Sequence, residues 1–239
     1  NMINLSLVIP CYNEGQNIEK LFNKIEGLLN RSSNIEIIIV DNGSTDNTEI
    51  NVLNSKLYKE SKIKVINIEE NKGYGHGIMS GVKIASGEFV GWCHADLQTD
   101  PEDVYNAFIE FKKDLSSGKA IIKGLRIKRN LLDSFFTMGM SIFASLIFQR
   151  IINDINAQPK IFPKNFIKFM QDYPYDFSLD LYLLIIAKIN NYKILNFEVE
   201  FKNRLYGEAK GGGSILGKLK LTIRTIIYIF KLRKKIWNI

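Results

Sequence analysis

The sequence predicts an α/β fold with a mostly parallel central sheet and helices on both of its faces. Two observations support this prediction. Short runs rich in β-branched residues alternate with longer segments whose apolar residues recur at helical spacing, and polar loops, some rich in glycine, follow the strands. Because strand–helix alternation implies parallel pairing, the connecting helices are expected to pack on the sheet.

The first half of the chain divides into five strands and the helices between them. Residues 5–9 form an apolar run that ends at Pro10, which cannot donate to a strand ladder. Residues 14–29 place apolar side chains on one helical face, and residues 35–40 are typical of a strand buried on both sides. Further strands are predicted at 63–68, 88–93 and 120–124, with one helix ending near residue 85 and another spanning 102–115.

The second half is less regular. Helices are predicted at 134–151, 178–189 and 215–236, and residues 192–201 alternate as a strand does. No internal repeat is present, and three glycines at 211–213 are the predicted hinge. We therefore expect one α/β domain over residues 1–213, followed by a basic amphipathic helix within 214–239.

Composition limits the classes of protein. The 239 residues are 46% hydrophobic and 24% charged, as in globular proteins, and a net charge of +7 favours anionic partners. Two cysteines are too few for a disulfide framework, so a reducing compartment is expected. No signal peptide is evident, and the longest uncharged run, 134–149, is shorter than the roughly 20 residues of a membrane-spanning helix. Any membrane role is therefore expected to be peripheral.

Polar loops at the predicted strand ends point to one crevice. In open α/β sheets, ligands bind outside the carboxyl ends of the strands. The residues that this rule brings together are Tyr12, Glu14, Asp41, Gly73, Asp96 and Gln98.

The loop at 94–100 carries the most chemical information. On an extended backbone Asp96 and Gln98 would face the same way, and two oxygen ligands suit Mg²⁺ or Mn²⁺ with substrate phosphates completing the shell. The alternative is a turn that caps the helix beginning at Pro101, with Thr99 or Asp100 as N-cap. Both interpretations can hold at once.

Ordered motifs resemble those of family 2 glycosyltransferases, which have the GT-A fold. They are Pro-Cys-Tyr-Asn-Glu at 10–14, Val-Asp-Asn-Gly-Ser-Thr-Asp at 40–46, Asn-Lys-Gly-Tyr-Gly at 71–75 and Ala-Asp-Leu-Gln at 95–98. The chain is most similar to the polyprenyl-phosphate glycosyltransferases, of the dolichyl-phosphate mannose synthase type. Its Arg-Leu-Tyr-Gly-Glu-Ala-Lys at 204–210 resembles that group's Arg-x-x-Gly-x-Ser-Lys segment. The resemblance covers roughly residues 4–215.

The resemblance implies roles for individual residues. Asp96 and Gln98 would hold the metal, as a Lewis acid, at the donor diphosphate, and Arg204 and Lys210 would meet phosphate. The donor would be a UDP- or GDP-linked sugar. Its implied binding residues are Pro10, Tyr12, Asn13, Glu14, Asp41, Asn42, Gly43, Lys72, Gly73, Gly75, His94, Ala95 and Asp96.

Two positions depart from the family pattern. His94 stands where the first Asp of an Asp-x-Asp motif is usual, and an imidazole there either ligates a softer ion, contacts ribose or has no metal role. Asn42 replaces the second residue of an Asp-Asp pair and keeps hydrogen-bonding capacity without charge. This puts nucleobase selectivity in question, but not nucleotide binding.

The acceptor site is implied less specifically. In the lookalike group, arginines at the positions of Arg126 and Arg129 contact a lipid phosphate, although Arg129 could equally lie on an exposed basic surface. Asp154 and residues 156–160 loosely match the acceptor segment of the family. Asp180 is either a general base for a hydroxyl acceptor or a stabiliser of its own helix, whereas a phosphate acceptor needs no strong base.

The predicted C-terminal helix mixes apolar residues with lysine and arginine, which is typical of an element that docks on a membrane surface. The alternative is a terminal helix packed on the domain with a solvated basic face. The protein is accordingly expected in the cytoplasm, peripheral at the inner face of the membrane.

Taken together, the residues and the resemblance predict an inverting, metal-dependent transfer of sugar to a polyprenyl phosphate. The nearest alternative is transfer to a glycan hydroxyl in surface polysaccharide synthesis at the cell envelope. A nucleotidyltransferase would need a basic triphosphate loop near the first strand, and residues 10–15 offer none. A non-enzymatic nucleotide- or nucleic-acid-binding module is a further alternative, but no nucleic-acid motif is present and acidic residues would line the crevice, so no nucleic acid partner is expected.

Overall fold

The computed structural model describes residues 3–127, 131–200, 202 and 215–237. Its strands are β1 (Leu5–Cys11), β2 (Ile35–Asn42), β3 (Lys64–Ile68), β4 (Phe89–Trp92), β5 (Ala120–Ile127), β6 (Lys160–Pro163) and β7 (Lys193–Glu200). Its α-helices are α1 (Ile18–Arg31), α2 (Thr48–Asn54), α3 (Lys56–Lys59), α4 (Tyr74–Ile84), α5 (Pro101–Glu110), α6 (Lys112–Leu115), α7 (Leu131–Phe148), α8 (Leu179–Ile189) and α9 (Ile215–Trp237). A 3₁₀ helix spans Lys164–Phe169.

The strands form one seven-stranded sheet in the order β3-β2-β1-β4-β6-β5-β7. β6 is antiparallel to both of its neighbours, β4 and β5, and every other pair is parallel. The predicted mostly parallel sheet is therefore confirmed. The sequence did not predict β6, because a strand of 4 residues that begins with a lysine and ends with a proline has no clear strand periodicity.

Helices cover both faces of the sheet, as predicted. Val8 and Val40 face a core cluster shared with α4, α7, α8 and α9. The neighbouring strand residues Leu7 and Ile39 face a second cluster shared with α1, α2, α3, α5 and α6. Successive strand residues thus bury opposite faces, as the pleat requires.

The ends of several elements differ from prediction. β1 does not stop at Pro10 but continues to Cys11, which pairs with Asp41 of β2. Pro10 lies past Val8, the last β1 residue paired with β4, so its missing N–H costs no ladder bond on that side. The predicted helix 102–115 is divided into α5 and α6 around Phe111, and α2 and α3 were not predicted.

Within the described ranges, no helix is both long enough and apolar enough to cross a membrane. α7 and α9 contact each other through the rings of Phe143 and Phe230, whose centroids are 5.9 Å apart. Ile229 and Leu232 of α9 are buried in the core beneath this contact. The C-terminal helix is therefore packed on the domain along part of its surface, which was one of the two predicted alternatives.

Candidate active site

Two loops at the carboxyl ends of β1 and β2 are tied together by hydrogen bonds. Asp41 Oδ1 accepts from the Ser44 amide at 3.0 Å. Asn13 Oδ1 accepts from the Thr45 amide at 2.7 Å, and the Asn13 amide donates to Ser44 Oγ at 3.0 Å. The structure thus brings together Asn13 and Asp41, two of the predicted nucleotide-binding residues.

Glu14 adds a second buried carboxylate beside Asp41. Its Oε2 accepts from Asn17 Nδ2 at 2.6 Å, and its backbone amide donates to Thr48 Oγ1 at 2.8 Å. Burial, together with the charges of Glu14 and Asp41, raises the pKa of the Cys11 thiol, so both carboxylates act on one point at the end of β1. Half-buried Pro10 and Tyr12 flank them. The carboxylate oxygens of Glu14 and Asp41 can accept hydrogen bonds from the hydroxyls of a ribose.

Asn42 and Gly43 have internal roles in the loop after β2. Gly43 has φ +73°, and a Cβ there would lie 2.6 Å from the Asn71 amide nitrogen. Asn42 Nδ2 donates to the Gly73 carbonyl at 3.0 Å, and the Asn42 side chain occupies the space that a Cβ on Gly77 would need. Asn42 therefore connects β2 to the start of α4. Its implied contact with the nucleotide stays a prediction.

The glycines of the 71–75 segment allow close packing against residues 174–176. A Cβ on Gly73 would lie 2.3 Å from the Tyr175 carbonyl oxygen, and a Cβ on Gly75 would lie 2.2 Å from the Pro174 carbonyl oxygen. The Gly75 amide donates to the same Tyr175 oxygen at 2.7 Å. Since this carbonyl caps the first turn of α4, packing explains the glycines without a phosphate. Lys72 is exposed beside them.

The donor loop, residues 94–98 after β4, is a turn rather than the extended segment that was predicted. Leu97 has φ +60°, and Asp96 Oδ1 accepts from the Gln98 amide at 3.1 Å. Gln98 Nε2 donates to the Lys202 carbonyl at 3.3 Å. The argument that alternation on an extended backbone aligns Asp96 with Gln98 is therefore wrong, because a left-handed residue stands between them. Their joint metal binding stays a prediction.

The capping interpretation of the following residues is confirmed. Asp100 is the N-cap of α5, its Oδ1 accepting from the Glu102 amide at 3.1 Å, and Asp103 Oδ2 accepts from the Asp100 amide at 3.2 Å. In the part of the chain that the structure describes, no three His, Cys, Asp or Glu side chains form a metal-binding group. Asp96 is buried after β4, and its carboxylate is of a type that suits a hard ion whose shell substrate phosphates complete.

His94 belongs to a buried hydrogen-bond network. Its Nε2 lies 3.0 Å from the hydroxyl of Tyr74, which lies 3.3 Å from Asp180 Oδ2. Gln158 Nε2 donates to the same hydroxyl at 3.0 Å and to Asp180 Oδ1 at 3.1 Å.

Asp180 is 1% exposed and has a buried ammonium beside it. Lys160 Nζ lies 3.4 Å from Asp180 Oδ1. The same Nζ donates to the carbonyls of Ile155 at 3.0 Å and Ala157 at 2.5 Å. Burial lowers the pKa of Lys160, and the carboxylates of Asp180 and Asp154 oppose that shift. Asp180 neither caps α8 nor stands open as a base; it binds the acceptor loop, residues 154–158, through Lys160 and Gln158.

Arg126 is held by the first residue of the acceptor loop. Its Nε donates to Asp154 Oδ1 at 3.0 Å, its Nη2 contacts the same oxygen, and its amide donates to Asp154 Oδ2 at 2.8 Å. Burial alone would raise the pKa of Asp154, but the hydrogen bonds and charge of Arg126 hold it below the usual value. Asp154 therefore stays ionised and fixes the direction of the guanidinium.

The family model for glycosyl transferase family 2 matches residues 6–171, more than half of the chain. This chain belongs to glycosyl transferase family 2. The match includes the loops after β1, β2 and β4 and residues 154–158.

Curated relatives agree with this family. The chain is 28% identical over 217 residues to a dolichol-phosphate mannosyltransferase of Pyrococcus furiosus, covering 89% of this chain and 60% of that protein. It is 30% identical over 250 residues to the dolichyl-phosphate beta-glucosyltransferase ALG5A of Trichomonas vaginalis, covering 98% of this chain and 76% of that protein. The predicted resemblance to polyprenyl-phosphate glycosyltransferases is confirmed. The chain spans less than two thirds of the Pyrococcus relative.

Solved structures confirm the GT-A fold. Glucosyl-3-phosphoglycerate synthase from Mycobacterium tuberculosis, in complex with Mn²⁺, UDP and glucosyl-3-phosphoglycerate, has a TM-score of 0.71 at 18% identity, covering 97% of this chain and 80% of that one. The same synthase with Mn²⁺, UDP-glucose and phosphoglyceric acid has a TM-score of 0.70 at 17% identity, covering 97% and 79%. At these identities the likeness concerns the fold alone.

Some site residues of this glycosyltransferase were not predicted, and others cannot be placed. Arg129, Arg204 and Lys210 lie outside the described residues, as does the predicted domain boundary at 213. Sequence reasoning gave no role to Tyr74 or Lys123, and it placed Gln158 and Lys160 only within the segment 156–160 that loosely matches the acceptor segment of the family. For Lys123 a signal existed, since it interrupts the apolar run of a predicted strand. Tyr74 gave none, because it stands between two glycines in a segment predicted to be a loop.

Proposed function

We propose that this glycosyltransferase moves a sugar from a nucleoside-diphosphate sugar to a polyprenyl phosphate with inversion. An acceptor phosphate oxygen forms the new bond to the anomeric carbon while the bond from that carbon to the donor diphosphate breaks, and the nucleoside diphosphate leaves. Direct displacement inverts the anomeric configuration. The dolichyl-phosphate relatives, one of them matching 98% of this chain, support this acceptor class.

The environment of Asp180 is the observation that carries the acceptor class. A hydroxyl acceptor requires a carboxylate free to take its proton, whereas a phosphate is already an anion. Asp180 was the predicted base, yet Tyr74, Gln158 and Lys160 all contact its carboxylate. These contacts leave the carboxylate oxygens of Asp180 bound to protein groups rather than open to an acceptor hydroxyl, so its position favours phosphate over a glycan hydroxyl.

Arg126 supports the same conclusion from the acceptor side. Its guanidinium is oriented by Asp154 at the carboxyl end of β5, with Lys123 and Lys160 close enough to affect the same group electrostatically. A guanidinium presents five donors in a fixed fork that matches phosphate. We infer that Arg126 meets the acceptor phosphate, with Arg129 as a second contact.

On the donor side, we infer that the crevice formed by Tyr12, Glu14 and Asp41 receives the nucleoside. Asp96, with Gln98, would hold Mg²⁺ or Mn²⁺, which would neutralise charge on the departing diphosphate. Mn²⁺ and UDP occur together in the structural neighbour. Arg204 and Lys210 stay the proposed phosphate contacts from the segment after β7.

We also infer that α9 seats the enzyme on an anionic membrane surface, peripheral at the inner face. An exposed apolar strip runs along one face of α9, and exposed apolar residues of α7 continue it: Leu216, Leu219, Ile223, Ile227 and Phe230, then Met138, Ile142 and Leu146. Basic residues lie on the same helix, within one turn of that strip: Lys220, Arg224, Lys231 and Lys234. Apolar area together with positive charge matches an anionic bilayer.

A thermal-shift panel of nucleoside diphosphates, with and without Mn²⁺, tests the donor half. A ligand that binds the folded state raises the melting temperature, so the base that gives the largest shift identifies the donor. Asp96→Ala should abolish the metal-dependent part of the shift, whereas Asp172→Ala, on the protein surface, should keep it. An unchanged shift in Asp96→Ala would contradict the metal assignment.

A further inference from the structure

The hydroxyl of Tyr74 is the meeting point of the buried network. It lies 3.0 Å from His94 Nε2, 3.0 Å from Gln158 Nε2 and 3.3 Å from Asp180 Oδ2. A phenol has one hydrogen to donate and two lone pairs to accept with. The Gln158 amide donates to the hydroxyl, and the hydroxyl donates to Asp180.

The surroundings of the Tyr74 hydroxyl keep its proton in place. Burial, reinforced by the charge of Asp180, raises the pKa of Tyr74 well above its ordinary value, so the hydroxyl remains a donor at every working pH. Hydrogen-bonded side-chain networks of this kind fix the relative positions of the segments that contribute to them.

The segments joined at this hydroxyl lie on opposite sides of the reaction. His94 begins the donor loop, two residues before Asp96. Gln158 ends the acceptor loop, and Lys160, just beyond it, holds the carbonyls of Ile155 and Ala157. The acceptor loop begins at Asp154, which directs Arg126.

The ring of Tyr74 is held independently of its hydroxyl. It stacks on Phe177 with centroids 4.7 Å apart and an interplanar angle of 17°, and it meets the His94 ring edge-on at 5.5 Å. Removing the oxygen alone therefore leaves the ring packing in place. Tyr74→Phe thus removes the hydrogen bonds of the hydroxyl and keeps the ring.

We propose that Tyr74 is a positioning residue that couples the donor loop to the acceptor loop, so that binding of the donor orders the residues that receive the acceptor phosphate. This inference rests on the proposed function. In thermodynamic terms, donor and acceptor bind with positive coupling, and the hydroxyl carries that coupling.

The test measures acceptor affinity with and without donor nucleotide. A short-chain polyprenyl phosphate, such as farnesyl phosphate, is titrated into the full chain, alone and with saturating UDP or GDP and Mn²⁺. We expect the nucleotide to tighten acceptor binding by roughly tenfold in the wild type, since coupling free energies of this kind are typically worth 5- to 150-fold. In Tyr74→Phe this factor should fall to near one while the melting temperature changes little.

Tyr182→Phe is the matched control, because it removes a tyrosine hydroxyl that contacts the Phe169 carbonyl at 3.4 Å, outside the network. It should keep the wild-type factor. If Tyr74→Phe does not fold, Gln158→Met removes the other bridging donor and should also lower the factor. A wild-type factor of one, or an unchanged factor in the folded network variant, overturns the inference.

Sugar transfer by the wild type is assayed in parallel. Absence of transfer to any polyprenyl phosphate contradicts the proposed function. Transfer by the wild type combined with an unchanged coupling factor in Tyr74→Phe contradicts only the role of Tyr74.

Discussion

Two lysines face each other across β5 and β6, and both are buried: Lys123 is 1% exposed and Lys160 is 0% exposed. Lys160 has a carboxylate and two carbonyls as partners, whereas Lys123 Nζ donates to the Gly124 carbonyl at 3.0 Å. Burial, then the charge of Lys160, lowers the pKa of Lys123 from 10.5 to about 7. The charged form of Lys123 therefore lowers the free energy of unfolding, and it would attract an anion that can reach it.

Lys123→Met should therefore raise the free energy of unfolding, in a pH-dependent way. The unfolded chain binds this proton more tightly than the folded one, so the full cost is present below pH 7 and disappears as pH rises towards 10.5. We expect a gain of about 3 kcal/mol at pH 6 that fades by pH 10.5. Chemical denaturation at several pH values measures it.

Exposed Lys113→Met is the control, and its effect should be small at every pH. A gain for Lys123→Met that stays constant from pH 6 to 10.5 would show that the ammonium is compensated in the folded state.

At this scale the sequence revealed which residue types lie at the crevice but not how they are bonded. Asp41, Glu14 and Asp96 could be predicted because each follows a strand run directly. The network at Tyr74 could not, since its members come from four separated segments and meet only through the packing of α4, α8 and the acceptor loop.

Close packing between elements accounts for the glycines at the start of α4, whereas their implied contact with the nucleotide stays a prediction. Gly75→Ala should lower the free energy of unfolding by about 2 kcal/mol, because its Cβ would lie 2.2 Å from a backbone oxygen of the 174–176 segment. Gly75→Ala protein that folds at low temperature should still bind nucleoside diphosphate. Thermal unfolding and nucleotide titration measure the two effects separately.

Gly27→Ala in α1 provides the matched comparison, because nothing lies within 4 Å of its Cβ. This change should stabilise the protein by about 0.5–1 kcal/mol through helix propensity. If Gly75→Ala is as stable as the wild type but has lost nucleotide binding, the glycine serves the ligand and the packing explanation is wrong.

Among the elements, strands with continuous β-branched runs could be predicted, and short ones could not. β2 has both signals, a buried apolar run and a turn at its end. β6 pairs with β4 and β5 although its own sequence has no clear strand periodicity. Lys160 of this strand can be buried because Asp180 and two backbone carbonyls bind its ammonium. α2 and α3 were missed because they are short, at 7 and 4 residues.

For the molecule as a whole, we propose that the exposed apolar residues of α7 and α9 dock the protein on a membrane. Ile227→Ser, which changes an apolar residue 50% exposed on α9, should weaken binding to anionic phospholipid vesicles by roughly tenfold, since less apolar area is buried in the bilayer. Binding should also weaken with added salt. Vesicle co-sedimentation measures both effects.

Ile84→Ser, at the end of α4, is the control, because this isoleucine is similarly exposed at 45% but lies on another helix. Equal losses for the two variants, or no loss for Ile227→Ser, would contradict docking through α9.

The central claim is that the acceptor enters as an anion and needs no protein base. The most direct measurement compares the transfer rate to a short-chain polyprenyl phosphate with that to the matching polyprenol, using the donor identified by thermal shift and Mn²⁺. The account predicts a lipid-linked sugar phosphate from the first acceptor and negligible transfer to the alcohol. Comparable transfer to the alcohol, or transfer only to hydroxyl acceptors, would contradict it.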